Sequence, residues 1–351
     1  MILSSPSDSG ENPAVAPAIS VAMATYQGER YLRAQLDSIA AQTLQPLELV
    51  ITDDGSVDRT LEIAQDFAKT VPFPVRVSPN ETRLRYADNF LRAASLCEGD
   101  LIACCDQDDL WKPEKLRTCA EPFSNPSVLL VLHAAQTFSD SNPLGHHFPA
   151  VPEKRILVSG ESDPFANRPG FAMVVRRSLV TLATQVTRPP SLYSHDHWFW
   201  FLASSAGSIA TLPEVLTLYR QHEANVYGAG DKKTLTGQLK SGVEIPGYLD
   251  VAQAEQRCVE ALQNALPHSP LEWIPAIQHS IENLLLRARF HRLRGALYAP
   301  DSTLFHRIGS FATLLGNGAY RADPSRTRMG PKSAAKDAVL GVMGLFRRRA
   351  S

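Results

Sequence analysis

The chain has 351 residues, enough for one large domain with an extension or for two domains. At 44% hydrophobic and 20% charged it can build a sizeable core, which excludes global disorder. A formal net charge of −1 gives no whole-chain field for nucleic acid, and no apolar run approaches the ~20 residues of a membrane span.

Residues 1–18 are rich in Ser, Pro and Ala, without the basic start and apolar stretch of a secretion signal, and read as a disordered lead-in. The five cysteines, at 97, 104, 105, 119 and 258, have no metal-ligand spacing. Their odd number and apolar settings point to reduced thiols in a cytoplasmic protein. The first strand is expected over 19–25, followed by a Tyr26-Gln27-Gly28 loop and a helix over about 30–41 with apolar residues at helical spacing. A second strand over 47–52 ends in Asp53-Asp54-Gly55-Ser56. Asp58 lies near the start of the next helix, which runs to about Lys69. A short strand at 74–77 and a helix at 86–96 lead to the apolar run Leu101–Cys105, which climbs into Asp106-Gln107-Asp108-Asp109-Leu110-Trp111. Strands alternating with helices at this spacing predict βαβ units and a mainly parallel sheet.

A helix is expected over 112–120, with Pro113 in its first turn. A strand over 127–135 precedes a long irregular connection at 139–169. A strand at 170–175 enters a helix at 177–185. Residues 196–204 read as an aromatic-rich helix, and short strands follow at 209–210 and 215–219. Residues 231–316 are expected to be mainly helical, most clearly 274–297. In the tail, Ala338, Val339, Val342, Met343, Leu345 and Phe346 precede three arginines. That pattern fits a solubilising basic end, or an interfacial helix making peripheral contact with anionic lipid on the inner face of the cell membrane.

Two acidic clusters, 53–54 and 106–109, therefore close two strands, and in a parallel sheet both lie on one edge, where open α/β sheets bind ligands. An Asp-Asp-Gly-Ser turn alone is explained by turn chemistry. The pair of clusters suggests a nucleotide held on one side and a divalent cation on the other, with water and diphosphate oxygens completing the cation's shell.

Residues 19–60 and 100–116 resemble family 2 glycosyltransferases of the GT-A fold, through Ser20–Gly28, Asp53–Ser56 and the Asp-X-Asp-like Asp106–Trp111. His195-Asp196-His197-Trp198 and Leu218–Val226 are also similar, most nearly to a bacterial rhamnosyltransferase-like branch. The resemblance spans about 19–228. It implies a GT-A domain over 19–228; beyond it the sequence itself reads as a helical extension over 229–320 and a basic amphipathic tail over 321–351. It further implies that Thr25, Tyr26 and Glu29 border the nucleotide, Asp53 or Asp54 contacts the base, and Asp106 faces the ribose. Asp108 and His222 would hold Mg²⁺ or Mn²⁺, and Asp196 would deprotonate the acceptor hydroxyl. Asp109 is left as a supporting or acceptor-side group. The implied reaction is an inverting transfer of rhamnose or a hexose, from dTDP-rhamnose or a UDP-hexose, to a saccharide or lipid-linked saccharide during surface polysaccharide assembly.

The residues also admit plainer readings. Asp196 could cap a helix, His222 could be a loop histidine, and Arg220 could bind phosphate or pair with an acid. His195 and His197 read as packing or surface residues, since i and i+2 do not share a helix face. Cys104, Cys105, Trp198 and Trp200 read as core. Where the family often has a glycine-containing turn, residues 81–86 here carry two arginines and no glycine. A nucleotidyltransferase-type phosphate enzyme would need a Gly-rich or basic phosphate cradle, which is missing before the first helix. A non-catalytic nucleotide-sugar-binding protein would not need carboxylates at 106, 108 and 196.

Overall fold

The computed structural model describes residues 17–139, 142, 145–223, 247–299, 301–321 and 329–343. β1 (Ile19–Thr25), β2 (Glu48–Asp53), β3 (Val75–Pro79) and β4 (Leu101–Cys105) alternate with helices α1 (Leu32–Ala40), α2 (Thr60–Ala68) and α3 (Arg85–Ser95). After β4 come β5 (Leu110–Trp111), α4 (Lys115–Ala120), β6 (Val128–Phe138), β7 (Arg155–Leu157), β8 (Met173–Arg176), α5 (Arg177–Gln185), α6 (His195–Ala206) and β9 (Ser208–Arg220). These strands form one sheet in the order β3-β2-β1-β4-β8-β6-β9-β5, with β7 also on β9.

The first four strands in that order are parallel, whereas β8 runs against both β4 and β6. The sheet is therefore mixed, and wholly parallel from β3 to β4. Strand residues alternate between its two faces, as the pleat demands. Ala22, Val50, Ile102 and Cys104 pack into one core with residues of α3, α5 and α6. Val21, Met23, Leu49, Ile51, Ala103 and Cys105 pack into the other with residues of α1, α2 and α4. Covering both faces explains why β1 and β4 read as unbroken apolar runs.

Some boundaries differ from expectation. The 112–120 helix begins only at Lys115, so Pro113 precedes it. Leu110–Trp111 is a short strand against β9, and the 139–169 connection contains β7. The two short strands expected after Ser208 are one strand with irregular register against β6. A two-residue alternation is lost at such bulges, so the sequence shows a break where the chain continues.

Beyond β9 lie α7 (Tyr248–Ala265), α8 (Ile274–Leu297), α9 (Leu304–Gly316), α10 (Pro331–Lys336) and one π-helical turn, Asp337–Val342. The 274–297 helix matches its expected bounds, with Pro275 in its first turn. Ile277, Ile281 and Leu284 recur at helical spacing and join the first core, while Phe290 begins a third with Leu314, Ala319 and Tyr320. Buried Glu255 of α7 accepts from Arg287 Nε (2.5 Å) and His291 Nδ1 (2.7 Å) of α8. Buried Asp337 accepts from Arg294 Nη2 (2.8 Å), Tyr298 Oη (2.8 Å) and Tyr320 Oη (2.9 Å). Residues 1–16, 231–246 and 344–351, including much of the expected lead-in and the tri-arginine end, lie outside the described residues.

Candidate active site

The parallel register brings the ends of β1, β2 and β4 to one edge: Thr25 lies beside Asp53, and Met23 beside Cys105, the residue before Asp106. Ligands of open α/β sheets bind at this edge.

On the β2 side the acids hold loops. Asp53 is wholly buried and accepts from Thr25 Oγ1 (2.8 Å), Gly55 N (3.1 Å), Ser56 N (2.8 Å) and Ser56 Oγ (2.6 Å). Gly55 has φ +86°, a conformation that glycine adopts without steric cost. Asp54 accepts from Asn80 Nδ2 (2.9 Å), Leu84 N (2.6 Å) and Arg85 N (2.8 Å). It thereby fixes the glycine-free turn, in which Arg85 itself sits at φ +67°. Glu29 is exposed, and its carboxylate accepts from Arg59 N (2.9 Å) at the start of α2. Tyr26 offers a half-exposed ring to the cleft, with the Arg83 guanidinium 4.1 Å from its centroid. Its backbone exchanges two hydrogen bonds with the Gln107 amide (2.9 and 3.0 Å), joining the first loop to the second acid cluster.

On the β4 side the acids are underused. Among the described residues no side chain hydrogen-bonds the Asp106 carboxylate. Burial, then the Asp108 and Asp196 carboxylates, push its pKa up to about 8. Asp108 Oδ2 lies 2.9 Å from His222 Nε2, and the His222 ring stacks on Tyr31 with centroids 4.8 Å apart. Asp109 is buried; Oδ1 accepts from Arg220 N (3.0 Å), while Oδ2 has no partner. Burial and the neighbouring acids raise its pKa well above the usual carboxylate range. Arg220 donates from Nε to the Asp108 carbonyl (2.8 Å) and covers the Tyr31 and Phe138 rings. It serves here as a brace that fixes the acid turn.

Opposite stands the N-terminus of α6. Its cap is Ser194, not Asp196. Asp196 Oδ1 accepts from His197 N (2.9 Å) and Ser194 Oγ, and the Asp196 charge acts on Asp106. His195 is packed inward, its ring 4.1 Å from that of Phe90, with both nitrogens unpartnered. Gly170 makes room for it, since a Cβ there would strike the imidazole. Burial lowers the His195 pKa to about 4, so the ring is neutral. Trp198 and Trp200 are core.

The donor chemistry fits a small divalent cation beside Asp108. A carboxylate oxygen and an imidazole nitrogen 2.9 Å apart match two adjacent octahedral ligands, which at about 2.1 Å from an ion would be about 3 Å apart. Mutually repelling acids are also the setting a cation relieves. Among the described residues no group of three His, Cys, Asp or Glu could hold a metal ion, so the remaining ligands would be substrate and water oxygens.

Sequence reasoning missed Lys115. It is completely buried and donates to the Phe171 carbonyl (2.7 Å) and Thr217 Oγ1 (3.0 Å), with Nζ 3.8 Å from the Trp111 ring centroid. Burial lowers its pKa to about 8. The available signal was its place four residues before Cys119, on the apolar face of a short helix.

The family model described as Glycosyl transferase family 2 matches residues 20–182. An uncharacterized glycosyltransferase of Nostoc sp. is 27% identical over 238 residues, 65% of this chain and 72% of that protein. The dTDP-rhamnosyl transferase RfbG of Shigella flexneri is 30% identical over 228 residues, 59% of this chain and 74% of that protein. Among solved structures, S. aureus TarS residues 1–349 has a similar fold, with a TM-score of 0.52 at 19% identity over 88% of this chain and 82% of that one. The same TarS fragment in complex with UDP-GlcNAc gives a TM-score of 0.53 at 17% identity, over 85% and 80%. With its acid-tipped strands on a GT-A sheet and its sequence matched along three-quarters of RfbG, the chain belongs to glycosyl transferase family 2.

Proposed function

We propose that this family 2 glycosyltransferase moves a sugar from a nucleoside-diphosphate donor to a saccharide hydroxyl with inversion at the anomeric carbon. The observation that carries this reading is the convergence of Asp106, Asp108 and Asp196 on one cleft, each with carboxylate capacity left over from the fold. Asp106 faces the donor ribose. Tyr26 and Arg83 flank the base, while Thr25, Glu29, Asp53 and Asp54 act on the nucleotide through the loops they hold. A divalent cation, Mg²⁺ or Mn²⁺, held by Asp108 and His222, would supply Lewis-acid stabilisation of the departing diphosphate. Asp196 Oδ2 accepts the acceptor's proton as its oxygen attacks. With one base and no covalent nucleophile, the step is a single displacement. The likeness to RfbG supports dTDP-rhamnose as donor, ahead of a UDP-hexose, and a role in surface polysaccharide assembly.

The test incubates the purified chain with dTDP-rhamnose or UDP-hexoses, Mn²⁺ or Mg²⁺, and saccharide acceptors, and assays free nucleoside diphosphate and glycosylated product. Metal-dependent release with an inverted linkage is expected. Pyrophosphate release would replace the reading with nucleotidyl transfer. Tight donor binding without turnover on any acceptor would replace it with a binding protein.

A further inference from the structure

The π-helical turn carries its polarity inside out, and α9 exposes apolar side chains beside it. In the π-helical turn the charged residue, Asp337, is wholly buried on Arg294, Tyr298 and Tyr320, while Val339 is 50% exposed. Met343, just beyond it, is 65% exposed. Gly341 lies so close to α8 that a Cβ would meet the Leu297 side chain at 2.7 Å, so the turn is seated firmly on its polar side. α9, which packs beside this turn, is apolar on two faces. Ser310 and Leu314 are buried, and Phe311 packs against the core around Phe290. On the outer side Leu304, Phe305, Ile308 and Leu315 are 57%, 87%, 47% and 51% exposed. A helix apolar on both faces is normally covered on both, and exposed apolar clusters mark docking surfaces.

Charge selects the occupant. Residues 301–351 carry nine Lys or Arg and three Asp or Glu, whereas residues 1–300 carry 26 and 33. α9 contains no acid, and α10 exposes Lys332 and Lys336 beside the turn. Two copies of so basic an end would repel one another. A negatively charged lipid surface attracts it and solvates the apolar side chains at the acyl boundary.

We infer that the outer side of α9 and the adjoining π-helical turn form a docking face for an anionic bilayer. Phe305, Ile308, Val339 and Met343 enter the interface, and Lys332 and Lys336 lie at the headgroups. Among the described residues no helix is long and apolar enough to span a membrane. This inference is independent of the sugar chemistry, because it is read by binding alone.

The test is flotation of the full chain with phosphatidylcholine vesicles containing about one-third phosphatidylserine, against pure phosphatidylcholine. The intact chain should float with the anionic vesicles, remain behind with the neutral ones, and be released by high salt. Phe305→Ser with Ile308→Ser, both exposed, should weaken binding about tenfold or more with unchanged thermal stability. Lys332→Glu with Lys336→Glu should lower binding to anionic vesicles. Equal recovery of intact chain and variants, or equal binding to neutral vesicles, would overturn the inference. A dimer in light scattering that Phe305→Ser dissociates, together with no vesicle binding, would overturn it in favour of a second copy.

Discussion

The carboxylates at the C-terminal end and those in the cleft are treated in opposite ways. At the C-terminal end Asp337 receives three donors, one of them a guanidinium, and every short-range demand of its charge is met. In the cleft no side chain among the described residues hydrogen-bonds the Asp106 carboxylate, and Asp109 keeps one buried oxygen orphaned. A buried polar group left unpartnered costs on the order of 1–3 kcal/mol, more when charged. A fold that satisfies Asp337 so fully has no need of such a cost elsewhere unless something binds there. The contrast separates a latch, where charge is spent on structure, from the cleft that the proposed function assigns to the ligand.

The strongest way to break this contrast is to neutralise the cleft. Asp196→Asn should lower kcat about a thousandfold while its urea midpoint stays that of the parent chain; a comparable loss in both would make Asp196 a structural residue. Asp108→Asn should likewise abolish transfer and also erase the Mn²⁺-dependent thermal shift. The next effect lies in the latch. Asp337→Ala strands the Arg294 charge in the interior and should cost about 3–5 kcal/mol. Hydrogen exchange would read this as lost amide protection over residues 331–342, with donor turnover held within a few-fold. If turnover collapsed together with protection, the two sites would not be separable.

A smaller effect tests the cleft wall. His195 is accommodated only as a neutral ring, so the folded chain takes up its proton near pH 4 and the unfolded chain near 6.5. Its contribution to stability is therefore present above pH 6.5 and is lost as pH falls toward 4, by on the order of 3 kcal/mol. His195→Phe, stacked on Phe90, should flatten that part of the stability profile. The smallest effect concerns Arg85, whose φ of +67° is costly for a side chain. Arg85→Gly should raise stability by about 1 kcal/mol or less, seen as a slightly higher Tm. A drop would mean that the Arg85 side chain, and not Asp54 alone, holds the turn.

The parts of the fold that follow local rules were legible. Buried parallel strands write themselves as apolar runs, and the spacing of α8 predicts its bounds. The acid clusters were legible because a strand end followed by carboxylates has few uses. What escaped depends on pairing between distant segments. Nothing local reveals that Leu110–Trp111 becomes a strand, since its partner, β9, lies over a hundred residues away. The long β9 was read as two pieces because its bulges interrupt the alternation. Asp53 or Asp54 was expected at the base; that both also accept from loop N–H and hydroxyl groups depends on the folded turn bringing those groups near. Lys115 was not singled out in the sequence. It is buried because Phe171 and Thr217, from two other elements, supply its acceptors.

Lys115 has a mechanical consequence. Its ammonium rivets the turn at Gly170–Ala172, on the bank facing Asp196, to strand β9, whose end carries Arg220 and leads to His222 on the other bank. The two banks are therefore tied through one ammonium, which, on the proposed function, would hold the gap between proton acceptor and diphosphate side before any substrate arrives. On the same reading, adjustment to different donors would fall to the Tyr26 and Arg83 rim, which the Lys115 contacts do not include.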